Sequence, residues 1–208
     1  SADVAIIGGG YAGLSAGLFL AEAGVNTVLL EAQKVGFGAS GRNGGQLGAG
    51  QRMDQRDLIK LVGDNLGDQL WFLAEDAIDT VKNLIAKNEI NCFLRPGVAN
   101  LATSNTETSD LHYYAEFLEK RYNLGNIDTV SKEESEALCK SNEYKGGILF
   151  KNAAHLHPLR YVLGLARAGK KRGLRIFEQT PVQKILKGNP VVLKTNRASI
   201  KAKYVIYA

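Results

Sequence analysis

Cysteine is nearly absent from this chain of 208 residues: Cys92 and Cys139 stand far apart and outside any CxxC pair. That excludes a disulfide framework, and two isolated thiols suit a reducing cytoplasm. Histidine is as scarce. His112, His155 and His157 form no HExxH or HxxE pattern, so no metal is expected. Long uninterrupted apolar runs are missing too. Residues 5–30 are largely apolar, but Glu22 and dense glycines break the stretch and no basic segment precedes it. Neither a membrane span nor a signal peptide is expected there. Acids are almost missing from the last part: residues 151–208 hold 13 Lys and Arg against Glu178 alone, whereas residues 1–150 hold 13 against 20 acids. The positives spread over a helical stretch (Arg160, Arg167, Lys170, Lys171, Arg172) and over alternating strand positions (Lys194, Arg197, Lys201, Lys203). They lack the interleaved aromatics of a base-stacking platform. A solvated or covered face is therefore expected, and nucleic acid is not expected as a partner.

Glycine, in contrast, is abundant and placed. The apolar run Val4-Ala5-Ile6-Ile7 enters Gly8-x-Gly10-x-x-Gly13, a helical stretch follows, and Val28-Leu29-Leu30 then ends in Glu31. Each part has a task in binding an adenine dinucleotide. Gly8 allows the sharp strand-to-helix turn, Gly10 lets a pyrophosphate approach bare backbone, and Gly13 lets the helix pack close on the sheet, with Gly17 keeping that face thin one turn later. Phosphate charge meets the free N–H groups at the helix start. Glu31, 23 residues after Gly8, supplies a carboxylate for ribose hydroxyls.

The next segment narrows the choice of dinucleotide. Residues 36–50 hold seven glycines in fifteen positions. A nicotinamide enzyme has no evident need for such a loop directly after the ribose acid, whereas an extended flavin dinucleotide must lie along bare backbone. Ser40, Arg42, Asn43 and Gln46 add hydrogen bonds and one positive charge, with Ala39, Gly41, Gly44 and Gly45 between them. Tyr11 and Ala12, between Gly10 and Gly13, and Ala32, directly after Glu31, complete the expected cofactor contacts of this region. No His or Cys occurs between Gly36 and Gly50, so this loop offers no covalent flavin link.

The run Gly-Ala-Ser-Gly-Arg-Asn-Gly-Gly-Gln after a GxGxxG…Glu unit resembles the D-amino-acid oxidase (DAO)-type FAD-dependent oxidoreductases, and within them the gamma-glutamylputrescine oxidoreductase branch. Ala154-His155-Leu156-His157-Pro158-Leu159-Arg160-Tyr161 and Thr180-Pro181-Val182-Gln183-Lys184-Ile185 fit the same branch. The resemblance implies FAD, non-covalent as far as this half shows, since some relatives attach the flavin through His or Cys, with the Val182 backbone holding the adenine and Ala208 opening a further cofactor-contacting turn. It implies oxidation of a C–N bond of an amine or amino acid to an imine, with oxygen reduced to hydrogen peroxide. A dehydrogenase passing electrons to a quinone or carrier, and a cofactor-binding module without turnover, remain alternatives. One branch of the superfamily acts on tRNA, which keeps the minority reading of the basic segment open. The family has a second half that this chain lacks, so the chain reads as an incomplete polypeptide that is inactive by itself.

The organisation expected is α/β: a Rossmann-like FAD-binding domain with an inserted α+β substrate-domain segment, truncated at the C-terminus. Residues 1–90 and 152–208 form the discontinuous FAD-binding domain, and 91–151 form part of the substrate domain. Apolar spacing predicts helix over 54–88, broken or bent at Gly63 and Gly67. Trp71 is expected in the core. Residues 92–102 read as strand-like, interrupted by Arg95-Pro96-Gly97 as a turn, and 108–122 as an aromatic-rich helix. Ser131-x-x-Glu134 is a capping box. A strand at 147–150 and a helix at 158–172, with Pro158 in its first turn, precede strands at 174–177, 182–186, 191–195 and 198–206.

An aliphatic amine titrates near about 10, so a site that oxidises one must favour its neutral form, as a desolvated pocket does. Arg42 and Gln46 are the candidates for positions beside the flavin or its phosphates. His155 and His157 alternate on an extended segment and point opposite ways. His155 is the one expected to face a pocket, and with Gln46 it is the catalytic candidate.

Overall fold

The computed structural model describes residues Ser1–Ala208. In chain order the first elements are β1 (Ala2–Ile7), α1 (Tyr11–Glu22), β2 (Thr27–Leu30), β3 (Gln46–Leu47), α2 (Gln55–Val62) and α3 (Asp64–Lys87). Then come β4 (Arg95–Ala102), α4 (Asn105–Tyr122), β5 (Ile127–Val130), α5 (Lys132–Cys139) and β6 (Gly146–His155). The last are α6 (Pro158–Lys171), β7 (Arg175–Phe177), β8 (Val182–Leu186), β9 (Val191–Thr195) and β10 (Ser199–Tyr207). The chain forms two compact units, one of residues 1–45, 82–92 and 157–208 and the other of residues 46–81 and 93–156. The fold is mixed α/β, as the sequence predicts.

The first unit is built on a six-stranded sheet in the order β7-β2-β1-β10-β9-β8. Strands β7, β2, β1 and β10 run parallel, while β8 and β9 add an antiparallel meander to the edge of β10. Central parallel strands are covered on both faces and so read as unbroken apolar runs. Accordingly Ala5, Ile6, Val28, Leu29 and Leu30 are buried. Helix α1 buries Gly13, Leu14, Gly17, Leu18 and Ala21, the i, i+4 and i+3 positions of one face. A Cβ on Gly17 would stand 2.8 Å from Leu174 Cδ2 and 3.3 Å from Ile6 Cδ1. The thin face expected at Gly17 is therefore a packing requirement. Helix α6 starts with Pro158 at its first turn and ends in Lys170 and Lys171, cations suited to the negative end of a helix.

In the second unit β6 is the central strand. Strand β4 pairs along one side, and β5 and β3 pair along the other at different ends, all antiparallel. Helix α4 begins at Asn105, three residues before the expected start, because Ser104 caps it by accepting the Glu107 N–H. Ser131 and Glu134 make the predicted capping box. Trp71 is buried and stacks on Tyr122 with ring centroids 5.0 Å apart.

Three expectations need correction, and one strand goes beyond them. Gly63, at φ +85°, ends α2, but α3 runs through Gly67 without a break. A Cβ on Gly67 would come 2.6 Å from Ile59 Cγ1, so this glycine serves close approach rather than helix termination. Arg95-Pro96-Gly97 is not a turn between strands but the start of β4. Gly97, at φ +86°, takes the bulge, and the missing N–H of Pro96 is tolerated on an edge strand. Strand β5 was not expected; its entry is pinned by Glu119, whose carboxylate accepts N–H bonds from Gly125, Asn126 and Ile127. Finally, residues 46–81 group with 93–156 rather than with the first region. Gln46 and Leu47 pair with β6, and the buried Gln55 Nε2 donates to Tyr122 Oη at 2.7 Å and to the Gly67 carbonyl.

A carboxylate pair ties α3 to α4 in this unit. Arg121 donates to Asp68 at 2.7 Å and to Asp64 at 2.6 Å, and Tyr122 donates to Asp68 at 2.8 Å. The Arg121 hydrogen bond, aided by Tyr122 and opposed by burial, holds the Asp68 carboxyl below its ordinary 3.8. A depressed folded value means stabilisation that is present above the unfolded value and lost as pH falls through the folded one. Arg121→Ala is therefore expected to lower the urea midpoint at about pH 7 and to lower it less at about pH 3. An equal loss at both pH values would show that the pair acts by packing alone.

Candidate functional site

The glycine turn after β1 is held by three strands. Gly8 donates to the Leu30 carbonyl at 2.9 Å, Ala208 donates to the Ile7 carbonyl at 2.9 Å, and Glu31 donates through its backbone to Phe177. Gly8 sits at φ +115°, and a Cβ there would collide with the carbonyl oxygen of Ala208. A Cβ on Gly13 would collide with the Gly8 carbonyl. These two glycines are demanded by the protein's own backbone. Gly10 is different: the neighbour its Cβ would meet is the hydroxyl of Ser40, at 2.9 Å.

Helix α1 starts at Tyr11 with Gly10 as N-cap, no side-chain cap and no acid in its first turn. The Tyr11 N–H donates to Ser40 Oγ at 3.1 Å. The positive end of the helix is thus faced by glycine backbone and a hydroxyl, an arrangement that suits a phosphate.

Glu31 follows β2 directly, and its carboxylate folds back on the glycine turn. Oε2 accepts the Gly9 N–H at 2.6 Å and Oε1 accepts the Gln33 N–H at 2.8 Å. A Cβ on Gly9 would lie 3.0 Å from that carboxylate, so the middle glycine of the run is constrained as well, a point the GxGxxG spacing does not reveal. Ala32 is exposed beside it.

The glycine-rich loop is more ordered than a linker. Ala39–Gly41 form a 3-10 turn. Asn43 donates to the Ala39 carbonyl at 3.0 Å and to Tyr11 Oη at 3.3 Å, and its Oδ1 accepts the Gly45 N–H at 2.9 Å. Tyr11 in turn donates to the Pro158 carbonyl and packs on Tyr161. Gly36, at φ +73°, would bring a Cβ 2.5 Å from Val162 of α6, and a Cβ on Gly41 would meet the Gly36 carbonyl. Some of the seven glycines therefore fold the loop on α6, while Gly44 stays exposed. Arg42 donates from Nε to the Phe37 carbonyl at 2.6 Å and lies over the Phe37 ring, 4.7 Å from its centroid.

Within the first unit, then, Gly8, Gly10, Tyr11, Ala12, Gly13, Glu31, Ser40, Asn43 and Ala208 come together. Val182 opens β8 and lines a cleft of about 360 Å³ with Ile7, Ile185 and Tyr207. Glu178, which sequence reasoning passed over, accepts the Val35 N–H at 2.7 Å and braces the entry to the loop. Its signal was compositional: it is the lone acid of residues 151–208.

Gln46 and His155 belong to the second unit and stand directly opposite each other across β3 and β6. His155 is exposed, with Nδ1 3.4 Å from the Gly97 carbonyl. His157 caps α6, where its Nδ1 accepts the Arg160 N–H at 3.4 Å. His112 meets the Gly147 carbonyl at 3.0 Å. No group of three or more His, Cys, Asp or Glu side chains is placed to hold a metal ion. No helix is long and apolar enough to cross a membrane.

The cradle fits a dinucleotide: bare backbone at Gly10, an acid-free helix start, and a carboxylate at the end of the second strand. Comparison with known proteins agrees. The chain is 38% identical over 208 residues to the Haemophilus influenzae protein named "Probable oxidoreductase OrdL", and 35% identical over 206 residues to gamma-glutamylputrescine oxidoreductase of Escherichia coli. These matches take in 100% and 99% of this chain but 48% of each relative, so the chain spans about half their length. Glycine oxidase from Geobacillus kaustophilus superposes with a TM-score of 0.80 at 24% identity, covering 100% of this chain and 55% of that one. L-Amino acid deaminase from Proteus myxofaciens gives 0.79 at 20% identity, covering 100% and 45%. Both show the fold. The model of the FAD dependent oxidoreductase family, DAO, matches residues 3–208. The chain belongs to the DAO family of FAD dependent oxidoreductases.

Proposed function

We propose that the polypeptide containing this chain oxidises a C–N bond of an amine or amino acid, with a gamma-glutamylputrescine-like compound as substrate and oxygen as electron acceptor. The observation that carries the reading is the 35% identity to gamma-glutamylputrescine oxidoreductase over 99% of the chain, joined to the glycine cradle between Gly8 and Gly45. FAD, when bound, supplies the two-electron acceptor. The residues of the first unit hold it without a covalent bond. Backbone N–H groups of Ala12 and Gly13 and the Ser40 hydroxyl meet the pyrophosphate, Glu31 and Ala32 meet the ribose, and the Val182 backbone meets the adenine. Residues 39–45, with Arg42 as the cation, meet the remainder, and Ala208 closes the turn beside Gly8. The second unit serves substrate, through Gln46 and His155.

The chain's own part in the reaction is to orient the amine and to keep it neutral, since a charged ammonium has no lone pair to release. Positioning of this kind is worth several kcal/mol, about 7–11 in well-oriented intramolecular systems.

The test is peroxide release by the complete polypeptide. Gamma-glutamylputrescine is expected to give flavin-dependent peroxide. Turnover with an artificial acceptor but not with oxygen would replace the oxidase by a dehydrogenase, and turnover with neither would leave a binding module. Because the matched relatives are twice as long, residues 1–208 alone are expected to retain little or no FAD and to release no peroxide. Exposed Tyr204 and Tyr207, 70% and 69% accessible on β10, are then expected to promote self-association. A monomeric, yellow, active fragment would overturn this.

A further inference from the structure

Three residues of the second unit form one polar row across its sheet. His155 of β6 is the direct partner of Gln46 on β3 and of Arg95 on β4. Directly opposed residues of antiparallel strands share a face of the sheet. All three are exposed. The adjacent row, Leu47, Ala154 and Pro96, is apolar and belongs to the opposite face, with Ala154 1% exposed.

The three groups differ in what they offer. His155 Nδ1 lies 3.4 Å from the Gly97 carbonyl, an acceptor, so that nitrogen is the donor there and Nε2 is left for another partner. Gln46 offers an amide with both donor and acceptor. Arg95 offers a fixed positive charge and a planar donor fork that fits carboxylates. Its cation is also uncommitted. Arg56 is clasped by Asp54 and Asp110, and Arg121 by Asp64 and Asp68, whereas Arg95 makes no such pair. An arginine of this kind, aligned with an imidazole and an amide, is equipped to receive an anion that arrives from solution.

The length of the row selects the ligand. Neighbouring strands lie about 4.7–4.9 Å apart, so the row spans roughly 10 Å from Gln46 to Arg95. With its backbone ends that far apart, the row suits a chain-like amine with a carboxylate at its far end better than a compact amino acid, with amine and carboxylate on one carbon.

We propose that Arg95 is a specificity-determining residue that anchors the remote carboxylate of a long-chain amine, in line with His155 and Gln46. The inference rests on the amine-oxidising reading given above. In the complete flavoprotein, Arg95→Gln is expected to raise KM for gamma-glutamylputrescine at least tenfold with kcat little changed. KM for N-acetylputrescine, which lacks the carboxylate, is expected to stay the same, and Arg95→Lys is expected to restore part of the loss. Equal changes for both amines, or an unchanged KM for gamma-glutamylputrescine, would overturn the assignment. If the wild type oxidises neither amine, the reading of the reaction fails, and calorimetric titration with N-acetylputrescine and gamma-glutamylputrescine as plain ligands decides Arg95 separately. Tighter wild-type binding of the carboxylate-bearing amine, with the preference lost in Arg95→Gln, supports the assignment. No preference in the wild type contradicts it.

Discussion

Glu31→Ala in the complete polypeptide is expected to weaken FAD binding by about 1–3 kcal/mol, the scale for losing a charged hydrogen-bonding partner, or roughly 5- to 140-fold in Kd. Two losses contribute. The carboxylate that stands where a dinucleotide presents its ribose is gone. The Gly9 and Gln33 N–H groups, now held at 2.6 and 2.8 Å, also lose their acceptor, so the turn is less well fixed before the cofactor arrives. Glu31→Gln should fall between, since its amide offers one acceptor oxygen where two N–H groups ask for one each. Titration of the apoprotein with FAD measures both variants. An unchanged Kd would remove Glu31 from the cofactor site.

The second large effect belongs to Gly45. Its φ of +75° lies where a β-branched residue is a genuine outlier, and holding a non-glycine residue there costs about 1–3 kcal/mol. Gly45 is buried, and its N–H is fixed on Asn43 Oδ1, so the loop cannot rotate away without releasing Asn43 from Tyr11 and the 3-10 turn. Gly45→Val is therefore expected to give protein with native circular dichroism that purifies colourless. Normal flavin absorbance in that variant would mean that this part of the loop does not meet the cofactor.

The βαβ unit and its cradle were legible in the sequence because the task fixes both spacing and residue type. A strand, a glycine turn, a helix and a terminal acid must occur in that order, and each leaves a mark that needs no knowledge of distant neighbours. What escaped depended on partners far along the chain. Strand β3 has two residues and exists because β6 accepts it. Strand β5 is polar at Asp128 and Thr129 and is pinned from outside by Glu119. Gly67 looks like a helix breaker until Ile59 is seen against it. Pro96 looks like a turn residue until β4 proves to be an edge. The brace from Glu178 to Val35 joins residues 143 positions apart, beyond the reach of any local pattern. The alignment of Gln46, His155 and Arg95 is likewise a property of strand register, which the sequence does not display.

The proposed reaction requires that electrons pass from a C–N bond of the substrate to FAD held in this cradle. The direct measurement is the visible flavin spectrum of the purified complete polypeptide, mixed with gamma-glutamylputrescine in the absence of oxygen. A bound-flavin spectrum that bleaches on mixing, and recovers with peroxide release when oxygen is admitted, is the predicted result. A protein that binds no flavin, or whose bound flavin stays oxidised with gamma-glutamylputrescine and with a range of other amines and amino acids, would contradict it.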